Sequence, residues 1–120
     1  MVIAVDFDGT IVQNAYPEIG APKYDVIYAL QYLQAAGNQL ILWTCRDGDD
    51  LKRAVEYCEK VHNLHFDYIN ADTAEALQKF TGRSKKVGAD FYIDDKAMSP
   101  EQFVSMANAI IKSTETTLIN

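Results

Sequence analysis

Four apolar residues, Val2-Ile3-Ala4-Val5, run straight into Asp6-Phe7-Asp8-Gly9-Thr10. The apolar run is short and largely β-branched, which predicts a strand buried on both faces, as in a parallel sheet. Side chains alternate along a strand, so Asp6 and Asp8 fall on one side while Phe7 points the other way, into a core. Two adjacent carboxylates repel each other and stay ionised together only with a cation beside them. Gly9 and Thr10 then turn the chain away from the sheet end. A strand closed by an Asp-Gly turn accounts for one acid here, and poorly for two.

The remaining chain alternates apolar runs with helical stripes. Residues 11–21 are irregular, with Asn14, Pro17 and Gly20, and suit a small hairpin or flap over the end of the first strand. Val26, Ile27, Leu30, Leu33 and Ala36 fall at three- and four-residue steps, between Pro22 and the stop at Gly37. Residues 39–43 predict a second buried strand ending at Thr44, followed by a polar turn through Cys45 and Arg46. The next helix places Leu51, Ala54, Val55, Cys58 and Val61 on one face. Residues 65–70 predict a third strand, and Asp72 with Glu75 caps a short helix carrying Leu77 and Phe80 and stopped by Gly82. After a basic loop, residues 89–93 predict a fourth strand that delivers Asp94-Asp95. Ser99-Pro100-Glu101-Gln102 has the form of a helix start, with Phe103, Met106, Ile110 and Ile111 as the buried stripe. Residues 116–119 suit a fifth, edge strand.

This order predicts an α/β fold of right-handed βαβ units around a mainly parallel sheet. At 120 residues there is room for one domain, spanning 1–120. Ligands of such sheets bind beyond the carboxyl ends of the strands. Those ends carry Asp6 and Asp8, then Thr44, then Asp94 and Asp95. Hard carboxylate oxygens suit Mg²⁺, which borrows further ligands from a phosphate. A threonine hydroxyl and a lysine, Lys85 or Lys86, complete what phosphoryl transfer requires, with an Asp as nucleophile.

In this ordered set the chain resembles the haloacid dehalogenase-like superfamily of phosphohydrolases. Asp6-Phe7-Asp8-Gly9-Thr10 is similar to its DxDGT signature, Thr44 to its second motif, Lys86 to its third-motif lysine and Asp94-Asp95 to its acidic fourth motif. The resemblance covers residues 6–95 and implies a three-layer α/β/α Rossmann-like fold with strand order five-four-one-two-three. It also implies a Mg²⁺-dependent phosphatase acting through an aspartyl-phosphate. Asp6 would be nucleophile and metal ligand, and Asp8 the acid/base, with its carbonyl on the metal. Thr44 and Lys86 would hold the phosphoryl group beside Gly9, Thr10, Cys45 and Arg46. Asp94 would complete the Mg²⁺ site, with Asp95 a ligand through water or an orienter. Neither gap between motifs has room for a cap domain, so the resemblance is to the capless branch. There, substrates are often large, or a second subunit of a homo-oligomer covers the site.

Other readings use the same residues. A receiver domain also combines Asp, Thr and Lys, but its acidic pair follows the first strand, where this chain has DxD. A binding protein of the same fold without turnover is the third reading. A formal net charge of -6 argues mildly against nucleic acid as the partner. Cys45 and Cys58 are isolated and the N-terminus is not signal-like, so reduced thiols and a cytoplasmic location are expected. No apolar run reaches membrane-spanning length. Arg46 suits either a substrate phosphate or a turn cap. His62 and His65 suit the surface or a strand edge. Trp43, Tyr24, Tyr28 and Tyr32 suit packing, which leaves Tyr16, in the flap, as the aromatic able to touch substrate.

Overall fold

Residues 1–71, 73–79 and 86–119 are described by the structure, a computed structural model. In chain order the elements are β1 (Val2–Val5), α1 (Tyr24–Ala35), β2 (Gln39–Leu42), α2 (Gly48–His62), β3 (Tyr68–Ile69), α3 (Ala74–Lys79), β4 (Phe91–Ile93) and α4 (Pro100–Ile119). The strands form one parallel sheet in the order β3-β2-β1-β4. The chain is therefore α/β with a Rossmann-like sheet. From β1 the chain moves outward to β2 and β3, then crosses back to β4 on the other side. The carboxyl end of β1 thus faces the point where strand order reverses.

Strand alternation sorts the core onto the two faces. Ile3, Val5, Leu40 and Leu42 pack with Ile27 and Leu30 of α1 and Ala54 and Cys58 of α2. Each aliphatic side chain buried this way contributes about 1.5–3 kcal/mol. Phe7 enters the same cluster, fully buried and edge-on to Tyr57, as the alternation after Val5 requires. Ala4 and Ile41 face the opposite way, onto Val87, with Trp43, Tyr68 and Tyr92 packed around them.

The turns also follow local chemistry. Gly37 closes α1 at φ 92°, in the left-handed region open to glycine. The start of α4 is a reciprocal capping box. The Gln102 backbone N–H donates to Ser99 Oγ and the Ser99 N–H to Gln102 Oε1, at 3.1 and 2.9 Å. The flap is a narrow antiparallel excursion in which Val12 bridges to Pro22 and the Gln13 N–H donates to the Ala21 carbonyl.

Several expectations are corrected. Residues 116–119 continue α4 instead of forming a fifth strand, so the sheet of the described residues ends at β4. Phe103, Met106, Ile110 and Ile111, expected to be buried, are exposed, because α4 does not lie against the sheet. On α2, His62 takes the inward place and Val61 the outward one. The His62 ring is satisfied in the core by the Tyr57 hydroxyl at 2.8 Å and by edge contacts with the Tyr24 and Tyr57 rings. Tyr24, Tyr28 and Tyr32 lie largely in solvent, along the outer side of α1. The expected cap at Asp72, the stop at Gly82, and Phe80 and Lys85 lie outside the described residues. No helix among the described residues is long and apolar enough to cross a membrane.

Candidate active site

The carboxyl ends of β1, β2 and β4 open into a cavity of about 470 Å³. It is lined by Asp6, Asp8, Thr44, Cys45 and Arg46, by Asp94, Asp95 and Lys96, and by Asn14 and Tyr16 of the flap. Parallel pairing brings these strand ends together: Val5 stands opposite both Leu42 and Ile93, so the residues just beyond all three strands emerge at one level.

Asp6, Asp94 and Asp95 form the acidic heart of the cavity. One carboxylate oxygen from each lies within 4.8 Å of the others. Burial, and then the charges of Asp94, Asp95 and Asp8, push the Asp6 carboxyl up to about 6, against a counter-pull from the Phe7 N–H. No salt bridge neutralises the three among the described residues. Backbone turns fix the cluster. The Asp95 N–H donates to Thr10 Oγ1 at 3.1 Å and the Lys96 N–H to Asp94 Oδ1 at 2.9 Å. Gly9 sits at φ 83°, and a Cβ there would run into the Asp95 carboxylate, so this position requires glycine on two counts. Thr10 is buried, and its hydroxyl supports the β4 loop.

Asp8 is treated differently. Its two oxygens accept from Arg46 Nε and Nη2 at 2.8 and 2.7 Å, a fork-on-fork ion pair. Arg46 is only 2% exposed. Its remaining donors reach the carbonyls of Pro17, Glu18 and Asp50, and its plane lies against the rings of Phe7 and Tyr16, 5.0 and 5.1 Å from their centroids. Arg46 thus neither caps a turn nor reaches freely into the cavity. It locks Asp8, the flap and the start of α2 together.

Thr44 is half-buried at the end of β2, its N–H donating to Asn70 Oδ1 and its hydroxyl accepting from the Arg46 N–H. Cys45 is an exposed thiol and Cys58 a buried one, which burial pushes up to about 12. Lys86 lies around the corner, exposed, its ammonium 4.8 Å from the Tyr92 ring centroid. It lines a second cavity, with Trp43, Tyr92 and Met98, that shares Asp6 and Asp94 with the first. Tyr16 is exposed, with its hydroxyl on Asp50 at 3.3 Å.

Sequence reasoning missed four contributors. Asn70, at φ 51°, closes β3 and positions Thr44; an Asn ending a strand was its signal. Lys23 reaches the Gly9 carbonyl at 2.9 Å, and nothing in its spacing announced that. Asn14 and Lys96 line the cavity from loops.

A solved structure, of a conserved protein coded by a locus in Bacteroides thetaiotaomicron, is 39% identical over 95% of this chain and 91% of its own, with a TM-score of 0.71. No protein-family model and no curated protein matches the chain.

Proposed function

We propose that this chain, which belongs to one family with the conserved Bacteroides thetaiotaomicron protein, is a Mg²⁺-dependent phosphohydrolase of the haloacid dehalogenase-like type. The observation that carries the reading is the meeting of Asp6, Asp8, Thr44 and Asp94-Asp95, from three strand ends, around one open cavity. On this reading the fold is a three-layer sandwich without a cap, and the flap with Tyr16 and Asn14 stands at the mouth instead.

The donor set suits a hard cation. Asp6, Asp94 and Asp95 offer oxygens within 4.8 Å of one another, and burial, followed by the charges of its acidic neighbours, raises the Asp6 carboxyl. Mg²⁺ bound there would offset part of the charge of the three acids and the phosphate oxygens, leaving Asp6 ionised at neutral pH.

The chain's own groups then act in two displacements. Asp8, a carboxylate in its ion pair with Arg46, first takes up a proton from solvent on a free acceptor position. An Asp6 oxygen then attacks phosphorus, the bond to the leaving oxygen breaks, and Asp8 gives that proton to the leaving oxygen. Asp8 next takes a proton from water as the water oxygen attacks phosphorus. The Asp6–phosphorus bond breaks, releasing inorganic phosphate and the free Asp6 carboxylate. Arg46 occupies two of the roughly four acceptor positions of Asp8, so Asp8 is held in orientation while positions for the travelling proton remain. The hydroxyl of Thr44 holds a phosphoryl oxygen, and Lys86 approaches from the neighbouring cavity.

The test is p-nitrophenyl phosphate hydrolysis with Mg²⁺, alongside intact-mass measurement for an added phosphoryl group. Wild type turns over repeatedly, Asp6→Asn is inactive, and Asp8→Asn loses roughly two to four powers of ten. A receiver would take one phosphoryl group and release it slowly. Steady turnover by Asp6→Asn would overturn the reading.

A further inference from the structure

From Pro100 to Ser113 every side chain of α4 is exposed except the half-buried Ala107. Yet Phe103, Met106, Ala107, Ile110 and Ile111 recur at three- and four-residue steps, with Glu101, Ser105, Asn108 and Lys112 opposite. Helices are held mainly by packing of such an apolar stripe, and a lone one in water is marginal. The same chain carries a matching recess. An apolar groove of about 460 Å³ runs between α1 and the edge strand β4, walled by Ile3, Val26, Leu30 and Leu33 on one side and by Phe91 and Ile93 on the other. Phe91 and Ile93 stand in register with Ile3 and Val5 and so share their face. On that face α1 and α2 bury the side chains of β1 and β2, whereas Phe91 and Ile93 remain 53% and 40% exposed.

We propose that the chain forms a homodimer by reciprocal exchange, α4 of each copy laying its 103–111 stripe in the α1–β4 groove of the other. The occupant follows from where α4 stands. The helix is about 30 Å long. The radius of gyration is 17.6 Å and the longest extent 57 Å, against a radius of about 14 Å for a compact domain of this size. The stripe is thus carried away from its own groove, to where a second molecule meets it. Seating both stripes reciprocally doubles the apolar surface that one seating removes from water, towards the area of about 1,200–2,000 Å² typical of stable interfaces. A closed, two-fold exchange leaves no stripe and no groove unfilled. None of this depends on the phosphohydrolase reading.

Light scattering on the full chain tests it. Wild type is expected at twice the mass of one chain. Ile111→Lys in the stripe and Phe91→Lys in the groove wall each fall to single-chain mass, with any loss of helical dichroism confined to the share of α4, since both positions are exposed within one chain. Each substitution enters the symmetric dimer twice, so dissociation constants rise at least about a hundredfold. Mixing the two variants restores some dimer, because one intact stripe then meets one intact groove. Three results would each overturn the proposal: wild type at single-chain mass, a variant that keeps the double mass, or a mixture that stays monomeric. Single-chain mass with α4 amides strongly protected from exchange would show the helix closed on its own groove.

Discussion

Two sides of one crevice handle negative charge in opposite ways. Asp8 is answered from within: a buried guanidinium grips both of its oxygens, and that same guanidinium ties down the flap. Asp6, Asp94 and Asp95 crowd together and have no salt bridge among the described residues. A chain selected for stability alone would balance both. The contrast teaches that Asp8 has a permanent partner, while the trio has none among the described residues; on the proposed reading its partner arrives from solution.

The largest effect follows from breaking the permanent pair. Arg46→Ala leaves Asp8 without its partner and takes one donor from each of the Pro17, Glu18 and Asp50 carbonyls, which is expected to destabilise the fold by about 3–5 kcal/mol in urea unfolding. Arg46→Lys restores charge but not the fork, and recovers only part of the loss. An unfolding free energy unchanged in Arg46→Ala would make the pair incidental.

Next in size is the trio. Asp94→Asn removes one hard donor and is expected to weaken Mg²⁺ about tenfold or more by calorimetry, roughly 1.4 kcal/mol. Its metal-free melting temperature should rise, since repulsion on Asp6 is relieved. Unchanged Mg²⁺ affinity takes Asp94 out of the site.

The smallest effect is in pH. Asp6 titrates near 6 in the folded chain, above the ordinary aspartate value of 3.8. Between those values the folded state holds a proton that the unfolded state has released. Metal-free stability therefore falls as pH rises through that window, whereas Asp6→Asn lacks this component. Discounted for the half-exposure of Asp6, the difference amounts to about one or two degrees in melting temperature. Saturating Mg²⁺ should reverse it, and a wild-type curve parallel to that of Asp6→Asn would show that the crowding is not felt.

The strands and their endings were legible because apolar runs and alternation are local signals. Val2 to Val5 and the placement of Phe7 follow from them directly, as does the Ser99–Gln102 capping box. The stripe on α4 was legible too, but a stripe says only that something covers it, not which surface does. His62 and Val61 exchanged places because one step around a helix turns a side chain by about 100°, and Tyr57 made the polar ring the better core residue. The convergence of Asp6, Thr44 and Asp94 could be read from strand endings. The Asp8–Arg46 pair could not, since 38 residues separate the partners and no spacing rule joins them. Lys23 was hidden for the same reason, since its contact with the Gly9 carbonyl forms only on folding. Asn70 carried a signal as an Asn at a strand end, and only its hold on Thr44 was unreadable.

Surface loops ordinarily accept inserted or deleted residues at little cost. The flap is an exception in this molecule. The Pro17 and Glu18 carbonyls meet the very guanidinium that grips Asp8, so a residue added or removed between Asn14 and Glu18 shifts those acceptors and is felt at position 8. Length polymorphism should therefore be rarer between residues 14 and 18 than in the turn after Ala35. A loop grafted from elsewhere would fit only if it presented two carbonyls at the same spacing.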